Sequence, residues 1–316
     1  MPFDILTERN VVALFTRALT NYTGQEYLSK LTREFTSTQA LETYAFASQV
    51  PSMREWTGGR QQKKLSEHFV TATNQPFEAT LEISRAELRR DNTGMIVMRL
   101  NELAARTNSH WHKLIIDELL ASTSNIGYDG VSFFSSNHST RDSGIQNNMV
   151  TTDISGLPIP ADQQGSVTAP SSRTMKALIF QAIQRILSFN DSTGEPFNED
   201  ADRFCVMCGT SLLDSVAGAI TSDFFSGNED NNLKRAGFNI EFYATPRLNI
   251  ATDYFYVFRE SQTPTFIRQS EKGVQVEILG EGSDYAFSND GWLFGVSADR
   301  AVTNYDWANI VRVQMI

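Results

Sequence analysis

Residues 93–121 carry the longest unbroken periodicity in the chain. Ile96, Leu100, Leu103, Thr107, Trp111, Leu114 and Ile115 recur at near-helical steps, which puts them on one face of a single helix. At ~1.5 Å per residue such a helix is roughly 40 Å long. That length exceeds the width of a small domain. The helix must therefore act as a spine on which other elements rest, with Leu100, Leu103, Trp111 and Leu114 as its expected core contacts.

Upstream, ERNVVALFTRALT (residues 8–20) places Val11, Ala13, Leu14, Ala18 and Leu19 at helical spacing, with Thr7 available as a cap. LTREFTST and LETYAFASQ read as extended segments, closed by Pro51. In FEATLEIS, Phe77, Ala79, Leu81 and Ile83 alternate with Glu78, Thr80 and Glu82, the period-two pattern of a half-buried strand. HFVTATN before it is also strand-like, and Asn74-Gln75-Pro76 looks like a turn, so the two are expected to pair as a β-hairpin. Ser84-Arg85-Ala86-Glu87 is a capping box that starts a short helix reaching about Asp91.

Downstream, residues 127–172 are rich in Ser, Thr, Asn, Gly and Pro, a long loop of the kind that serves function or an interface. SSRTMKALIFQAIQRILSF is an amphipathic helix. RFCVMCG is a buried strand, SLLDSVAGAITSDFF a helix, and FNIEFYATP and DYFYVFRE are strands, together a mixed α/β unit. The tail holds TFIRQ, GVQVEIL, GWLFGVSA and NIVRVQM as further strands.

Chemistry is harder to find. Cys205 and Cys208 form a C-x-x-C, but inside an apolar strand their side chains point to opposite faces, and no second pair completes a zinc set. They read as two buried structural thiols. His110 and His112 lie two apart on the spine, about 200° around the axis, so they cannot hold one ion together and read as solvated or interface histidines. His138 and Asp129 lack a nucleophile elbow. No phosphate loop, dinucleotide fingerprint or H-E-x-x-H occurs, so neither a catalytic residue, a metal nor a cofactor is expected. NEDNN lacks the spacing of a calcium loop and reads as a solvated turn. The polar stretch around Trp56, Gly58, Gly59, Arg60, Lys63, Lys64 and Glu67 admits an anion site, a solvated hinge or an intersubunit contact.

The chain has 316 residues, enough for one large domain or two ordinary ones. Its 27 basic residues are outnumbered by 37 acidic ones, and the net charge of −10 argues against a surface built mainly to grip phosphate backbones. Two cysteines give no disulfide framework and point to a reducing compartment. Neither a signal peptide nor an apolar run of membrane length is present, so no membrane partner is expected.

PSMREWTGGR, FEATLEISRAELRRDNTG, YDGVSFFSSNH, FNDSTGEPFN, FCVMCGTSLLDSVAGAI and PTFIRQSEK follow one another in an order that resembles the major head (capsid) subunits of phage Mu and Mu-like prophages. None is a catalytic motif. The resemblance implies an α+β, Hong Kong 97-type capsid fold with an N-terminal arm, an extended β-hairpin loop, a long spine helix, and peripheral and axial domains. On this sequence the arm is 1–50, the extended loop and short helix 51–92, and the peripheral domain with spine and long loop 93–170. The axial domain is 171–260, and 261–316 supplies the strands completing the peripheral domain. The subunit-interface residues expected in the loop are Trp56, Gly58, Gly59, Arg60, Lys63, Lys64, Glu67, Phe77 and Leu81.

The implied activity is self-assembly into pentamers and hexamers of an icosahedral head around double-stranded DNA, without sequence-specific contact and without enzyme activity. The implied partners are the chain itself and a portal protein, with room for a decoration protein. No N-terminal scaffolding domain is legible, so scaffold and protease are expected to be separate proteins. The implied location is the virion, after assembly in the bacterial host cytoplasm. The alternative on the same fold is an encapsulin-like nanocompartment shell around a cargo enzyme.

Overall fold

The computed structural model describes residues 8–21, 26–45, 55–58, 69–90, 94–139, 143–191, 194–225 and 229–316. Helices α1 (Glu8–Thr20) and α2 (Glu26–Leu31) precede strands β1 (Thr32–Thr36) and β2 (Leu41–Ala45). Strands β3 (Phe69–Thr73) and β4 (Gln75–Ser84) and helix α3 (Arg85–Arg90) lead into α4 (Met95–Ala121). A long irregular stretch holds β5 (Met149–Thr152), β6 (Gly165–Ser166) and β7 (Ala169–Pro170), then α5 (Ser172–Leu187) follows. Next come β8 (Arg203–Cys208), α6 (Leu213–Thr221), β9 (Phe224–Phe225), β10 (Glu229–Asp230), α7 (Asn232–Arg235), β11 (Asn239–Ala244) and β12 (Tyr254–Arg259). The last elements are β13 (Phe266–Leu279), α8 (Asp284–Asn289), β14 (Gly291–Asn304) and β15 (Ile310–Met315).

The spine is α4, 27 residues long and entered through Gly94 at φ 76°. A left-handed residue there would strain any side chain, and glycine avoids the penalty. Just upstream, the capping box forms as read. The Ser84 amide donates to Glu87 Oε2 at 3.1 Å, and the Glu87 amide donates to Ser84 Oγ at 3.2 Å. These bonds hold the Glu87 carboxyl below its ordinary pKa.

Helix α4 serves three apolar clusters in succession. Near its start, Ile96 and Leu100 pack with Val11, Ile83, Ala286, Trp292 and Phe294. One turn on, Ala104 meets Phe15 and Val296, with Leu103 half-buried beside them. Its second half, Trp111, Ile115, Ile116 and Leu119, enters the main core, and Leu114 packs against the same core while half-buried.

Two sheets flank this helix. One has four strands in the order β1-β13-β14-β4. The other has five, in the order β11-β8-β12-β15-β5, with α5 packed on it through a face of Met175, Leu178, Ile179, Ala182, Ile183 and Ile186. The tail is thus divided. Strands β13 and β14 complete the first sheet with β4, whereas β15 lies between β12 and β5 in the second. The stretch expected to be loop from 127 to 172 contributes β5 to that second sheet.

The expected hairpin between HFVTATN and FEATLEIS does not form. Only Asn74 separates β3 from β4, too short a link for the two-residue turn that tight hairpins require. Instead β3 pairs antiparallel with β2, from Leu41↔Thr73 to Ala45↔Phe69, and β4 pairs with β14, from Gly291↔Ser84 to Arg300↔Gln75. Asn74 fixes this change of partner, since its amide donates to Ala40 O at 2.8 Å and its side chain to Gln39 O at 2.9 Å. The apolar row of β4 is therefore covered by the chain's own helices. Ile83 and Leu81 belong to the cluster around Ile96, Ala79 to the cluster around Ala104, and Phe77 meets His110 edge-on at 4.4 Å.

The connection from β14 to β15 joins the two sheets, and it is almost wholly buried. Trp307 is 1% exposed, stacked on His138 at 4.0 Å with Phe189 edge-on at 5.3 Å. His138 Nδ1 lies 2.6 Å from Asp129 Oδ2, and Nε2 lies 3.1 Å from Asn148 Oδ1. Asn148 Nδ2 in turn donates to Phe133 O at 2.8 Å and Trp307 O at 3.4 Å. Asn198 Nδ2 donates to Ala308 O at 2.8 Å and to Ile186 O at 2.7 Å, while its Oδ1 accepts from Arg259 Nη1 at 2.5 Å. The 127–148 segment, the end of α5 and strand β12 are thereby tied to one turn. Asp306 lies in that turn, and burial pushes its carboxyl up to about 7.

Trp111 is 6% exposed, with the guanidinium groups of Arg300 and Arg268 at 4.7 Å and 5.3 Å from its ring. Trp111→Ala should lower the unfolding free energy by about 3–5 kcal/mol. The midpoint in a denaturant titration reads this directly, and an unchanged midpoint would remove Trp111 from the core.

Asp306 gives a pH dependence of definite sign. The unfolded chain releases this proton near pH ~4, whereas the folded chain holds it to about 7. Its contribution is therefore fully present below about pH 4, and stability declines as pH rises from there to about 7. His110, pushed down to about 4, and His112, also lowered, supply the opposite slope over part of that range, because burial disfavours their charged forms. The difference between wild type and Asp306→Asn isolates the carboxyl. The wild-type melting temperature should fall relative to the variant between pH 4.5 and 7, and parallel curves would contradict the assignment.

Candidate functional site

The C-x-x-C is structural. Cys205 and Cys208 are free thiols on β8, 3% and 0% exposed, and burial pushes both up to about 12. A thiol so resistant to ionisation is a poor nucleophile and a poor metal ligand. Among the described residues no group of three His, Cys, Asp or Glu side chains could hold a metal ion. No helix among them is long and apolar enough to cross a membrane.

The histidines turn inward, contrary to the solvated or interface reading. His112 is 8% exposed, and its Nδ1 lies 2.6 Å from the Tyr27 hydroxyl. His110 is half-buried between Phe77 and Arg300. Its neutral ring, held down to about 4 by burial and the Arg300 charge, can accept from Arg300 Nη1 at 3.4 Å. The His138–Asp129 pair looks like two members of a catalytic triad, but both side chains are at most 1% exposed and Asn148 occupies the other ring nitrogen. With no hydroxyl or thiol in that third position, the pair is a pin for the 127–148 segment. The NEDNN turn is equally structural. Asn231 caps α7 and donates to Ala219 O and Ser222 O, and Glu229 pairs with Lys176 and Arg173.

The remaining candidate is a surface. Strands β2 and β3 form a two-stranded antiparallel pair with residues 46–68 between them. This pair, rather than β3 with β4, flanks the stretch expected to form the extended loop. Of that connection residues 55–58 are described, and all four are exposed. Trp56 is 72% exposed and Gly58 has φ 114°, a value that a side chain at this position would strain against. Gly59, Arg60, Lys63, Lys64 and Glu67 lie outside the described residues. Phe77 and Leu81, expected with them at an interface, pack on α4 and the cluster around Ile83 of their own chain.

A second surface runs along α4 and β4. Strand β4 ends the order of its sheet, so among the described residues its outer edge pairs with no strand. Between it, β14 and α4 lies a cavity of about 190 Å³, walled by Phe77, Ala79, Leu103 and Val296. Arg300, 5% exposed, lines it from within, and Arg106 and Glu78 stand at its rim. The sequence offered no signal for this cavity, because its walls come from segments far apart in the chain.

Comparison with known proteins agrees with this picture. A sequence model described as "Mu-like prophage major head subunit gpT" matches residues 7–203. The Mu-like prophage FluMu major head subunit of Haemophilus influenzae is 27% identical over 152 residues, covering 46% of this chain and 48% of that protein. The major capsid protein of Escherichia phage Mu is 27% identical over 190 residues, covering 56% and 60%. The matched part thus spans about half of each relative's length.

Among solved structures, the procapsid of bacteriophage JBD30 aligns with TM-score 0.53 at 19% identity, over 96% of this chain and 72% of that one. The capsid of cyanophage P-SCSP1u aligns with TM-score 0.56 at 10% identity, over 91% and 86%. A virus-like particle from Pyrococcus furiosus aligns with TM-score 0.52 at 11% identity, over 97% and 99%. The architecture is the α+β, Hong Kong 97-type fold of such capsids, and with more than half of its length matched by the family, the chain belongs to the Mu-like prophage major head subunits.

Proposed function

We propose that this chain is the major capsid protein of a tailed bacteriophage, assembling into pentamers and hexamers of an icosahedral head that encloses double-stranded DNA. The observation that carries the reading is the family match over residues 7–203. The fold supports it with a two-sheet body and a β2–β3 pair, with Trp56, from the stretch between the two strands, 72% exposed. The pair itself rests on its own chain, with Val70 in the main core and the Tyr44 hydroxyl donating to Gln269 Oε1 at 2.7 Å, so a neighbouring copy is called for only by the exposed residues around Trp56. Repeated around a ring, such a contact is heterologous and closes by rotation.

The role is architectural and not enzymatic, and the partners beyond other copies are a portal protein, a separate scaffold and protease, and the packaged DNA. A decoration protein can bind outside. The net charge of −10 suits a wall that does not trap DNA. Assembly takes place in the host cytoplasm and the finished protein resides in the virion. A nanocompartment shell is the second reading on the same fold. Fold does not separate the two, and the family match favours the head.

The experiment is expression of the wild-type chain beside a variant with residues 57–67 replaced by a short Gly-Ser turn, both viewed by electron microscopy. This replacement spares β3, which begins at Phe69. The wild type should form closed shells, whereas the variant should remain folded, with an unchanged circular dichroism melt, and form none. Closed shells from the variant would move the essential interface elsewhere. Protein cargo in place of DNA in native particles would favour the nanocompartment.

Covalent joining of subunits is not expected. A loop lysine such as Lys63 or Lys64 would need an accessible asparagine next to a buried acid. No sequence pattern marks the acid, yet Asp306, 0% exposed, is one. What is missing is access, because Asn304 and Asn309 are 3% and 0% exposed. Mature particles should run as a single monomer band on a reducing denaturing gel, and a ladder of multimers would overturn this.

A further inference from the structure

Two buried guanidinium groups at Trp111 share one carboxylate. Arg268 and Arg300 are 8% and 5% exposed, and they lie 5.3 Å and 4.7 Å from the Trp111 ring. Arg268 pairs with Glu34 at 3.3 Å and donates to the Thr32 hydroxyl at 2.8 Å. The direct partners of Arg300 are neutral. Its Nη1 donates to Thr107 O at 2.9 Å and approaches His110 Nδ1 at 3.4 Å, and no carboxylate of the described residues lies within 4 Å of it. His110 brings no charge at neutral pH, since burial and the Arg300 charge push it down to about 4. Burial pushes Arg300 down to about 10, so it remains charged there. One buried positive charge is thus left without a counter-charge, which is costly unless an anion joins it.

The uncompensated side is also the hollow side. Arg300 lines the cavity of about 190 Å³ between α4, β4 and β14, whose apolar walls are Phe77, Ala79, Leu103 and Val296. An apolar cavity of ~150 Å³ accepts benzene, so this one suits a single ring or a short alkyl chain and is too small for a long lipid. An inorganic anion would leave the apolar walls wet, and a neutral hydrocarbon would leave the guanidinium unpaired. At the rim, Glu78 accepts from Thr80 at 2.9 Å and Arg106 is paired with Glu102 at 2.7 Å. Those exposed charges are screened by solvent, whereas Arg300 is not. We propose that this cavity is a binding site for a small apolar monocarboxylic acid about the size of benzoate, its carboxylate on Arg300 and its ring or chain against Phe77, Ala79, Leu103 and Val296. The occupant would brace the joint between the spine and the four-stranded sheet. The site belongs to the single subunit and does not depend on the shell reading.

The test is isothermal titration of the wild-type chain, as unassembled subunits, with sodium benzoate, and in parallel with acetate, benzamide and inorganic phosphate. Benzoate should bind saturably, one molecule per chain. The other three should bind roughly tenfold more weakly or worse, because each lacks either the charge or the apolar group. The melting temperature should rise with benzoate over the same concentration range, since the ligand binds the folded chain alone. Arg300→Met should weaken benzoate by a similar factor. That variant also loses the bond to Thr107 O, so Ala79→Leu is the second one. It fills the cavity from β4, keeps Arg300, and should abolish binding while its ligand-free melt stays cooperative. Benzamide binding as tightly as benzoate would reduce the cavity to an apolar void. Acetate or phosphate binding as tightly would reduce it to a bare anion site, and benzoate binding unaffected by both substitutions would place the ligand elsewhere. Each of these results overturns the proposal, as does the absence of saturable benzoate binding, and the wild-type series decides even if neither variant folds.

Discussion

One helix has to satisfy three apolar clusters at once, and that requirement governs the rest of the architecture. Helix α4 presents Ile96 and Leu100 to the cluster under α8, Ala104 to Phe15 and Val296, and Ile115, Ile116 and Leu119 to the main core. Successive residues on a helix are separated by about 100°, so a one-residue slip would expose all of these contacts together. The four-stranded sheet and the main core are therefore held in register by the same rod. In the proposed shell role, where a subunit is repeated around a ring, such stiffness would keep each copy's angle the same.

The second tie between the halves of the molecule is polar. Where β14 turns toward β15, Trp307 is sealed between His138 and Phe189, and the carbonyls of Trp307 and Ala308 accept from Asn148 and Asn198. Buried networks of this kind fix one arrangement when their members are satisfied and are costly when they are not. Asp306 sits in this turn, and burial pushes its carboxyl up to about 7, so it is half-protonated near neutral pH. The residues that resemble catalytic groups, His138 and Asp129, belong to this structural network.

Much of the fold could be read from local pattern, and the failures share one cause. The spine, the helix at Glu8–Thr20 and the Ser84–Glu87 capping box depend on neighbours three or four residues apart, and all three form as read. Strand pairing depends on partners far away in sequence. Period-two alternation correctly identified β4 but could not reveal that its partner is β14 rather than β3. Strand β5 escaped notice because it has four residues in a polar stretch and pairs with β15 alone. Strand β13 looked like two strands because the pairing slips between Ser270 and Gln275, around the polar Glu271-Lys272-Gly273. At the candidate site, exposed Trp56 and positive-φ Gly58 were visible in the sequence, whereas the inward turn of Phe77 and Leu81 required the tertiary structure.

The central claim is that a pre-formed body is joined to its neighbours through the segment between β2 and β3. Amide hydrogen exchange on unassembled subunits and on finished particles tests it most directly, because it reports protection segment by segment. The account predicts that α4 and the Asn304–Asn309 turn are strongly protected in both states, and that the segment containing Trp56 gains protection on assembly. Particles that form with no change around Trp56, or an α4 that becomes protected only in the particle, would contradict it.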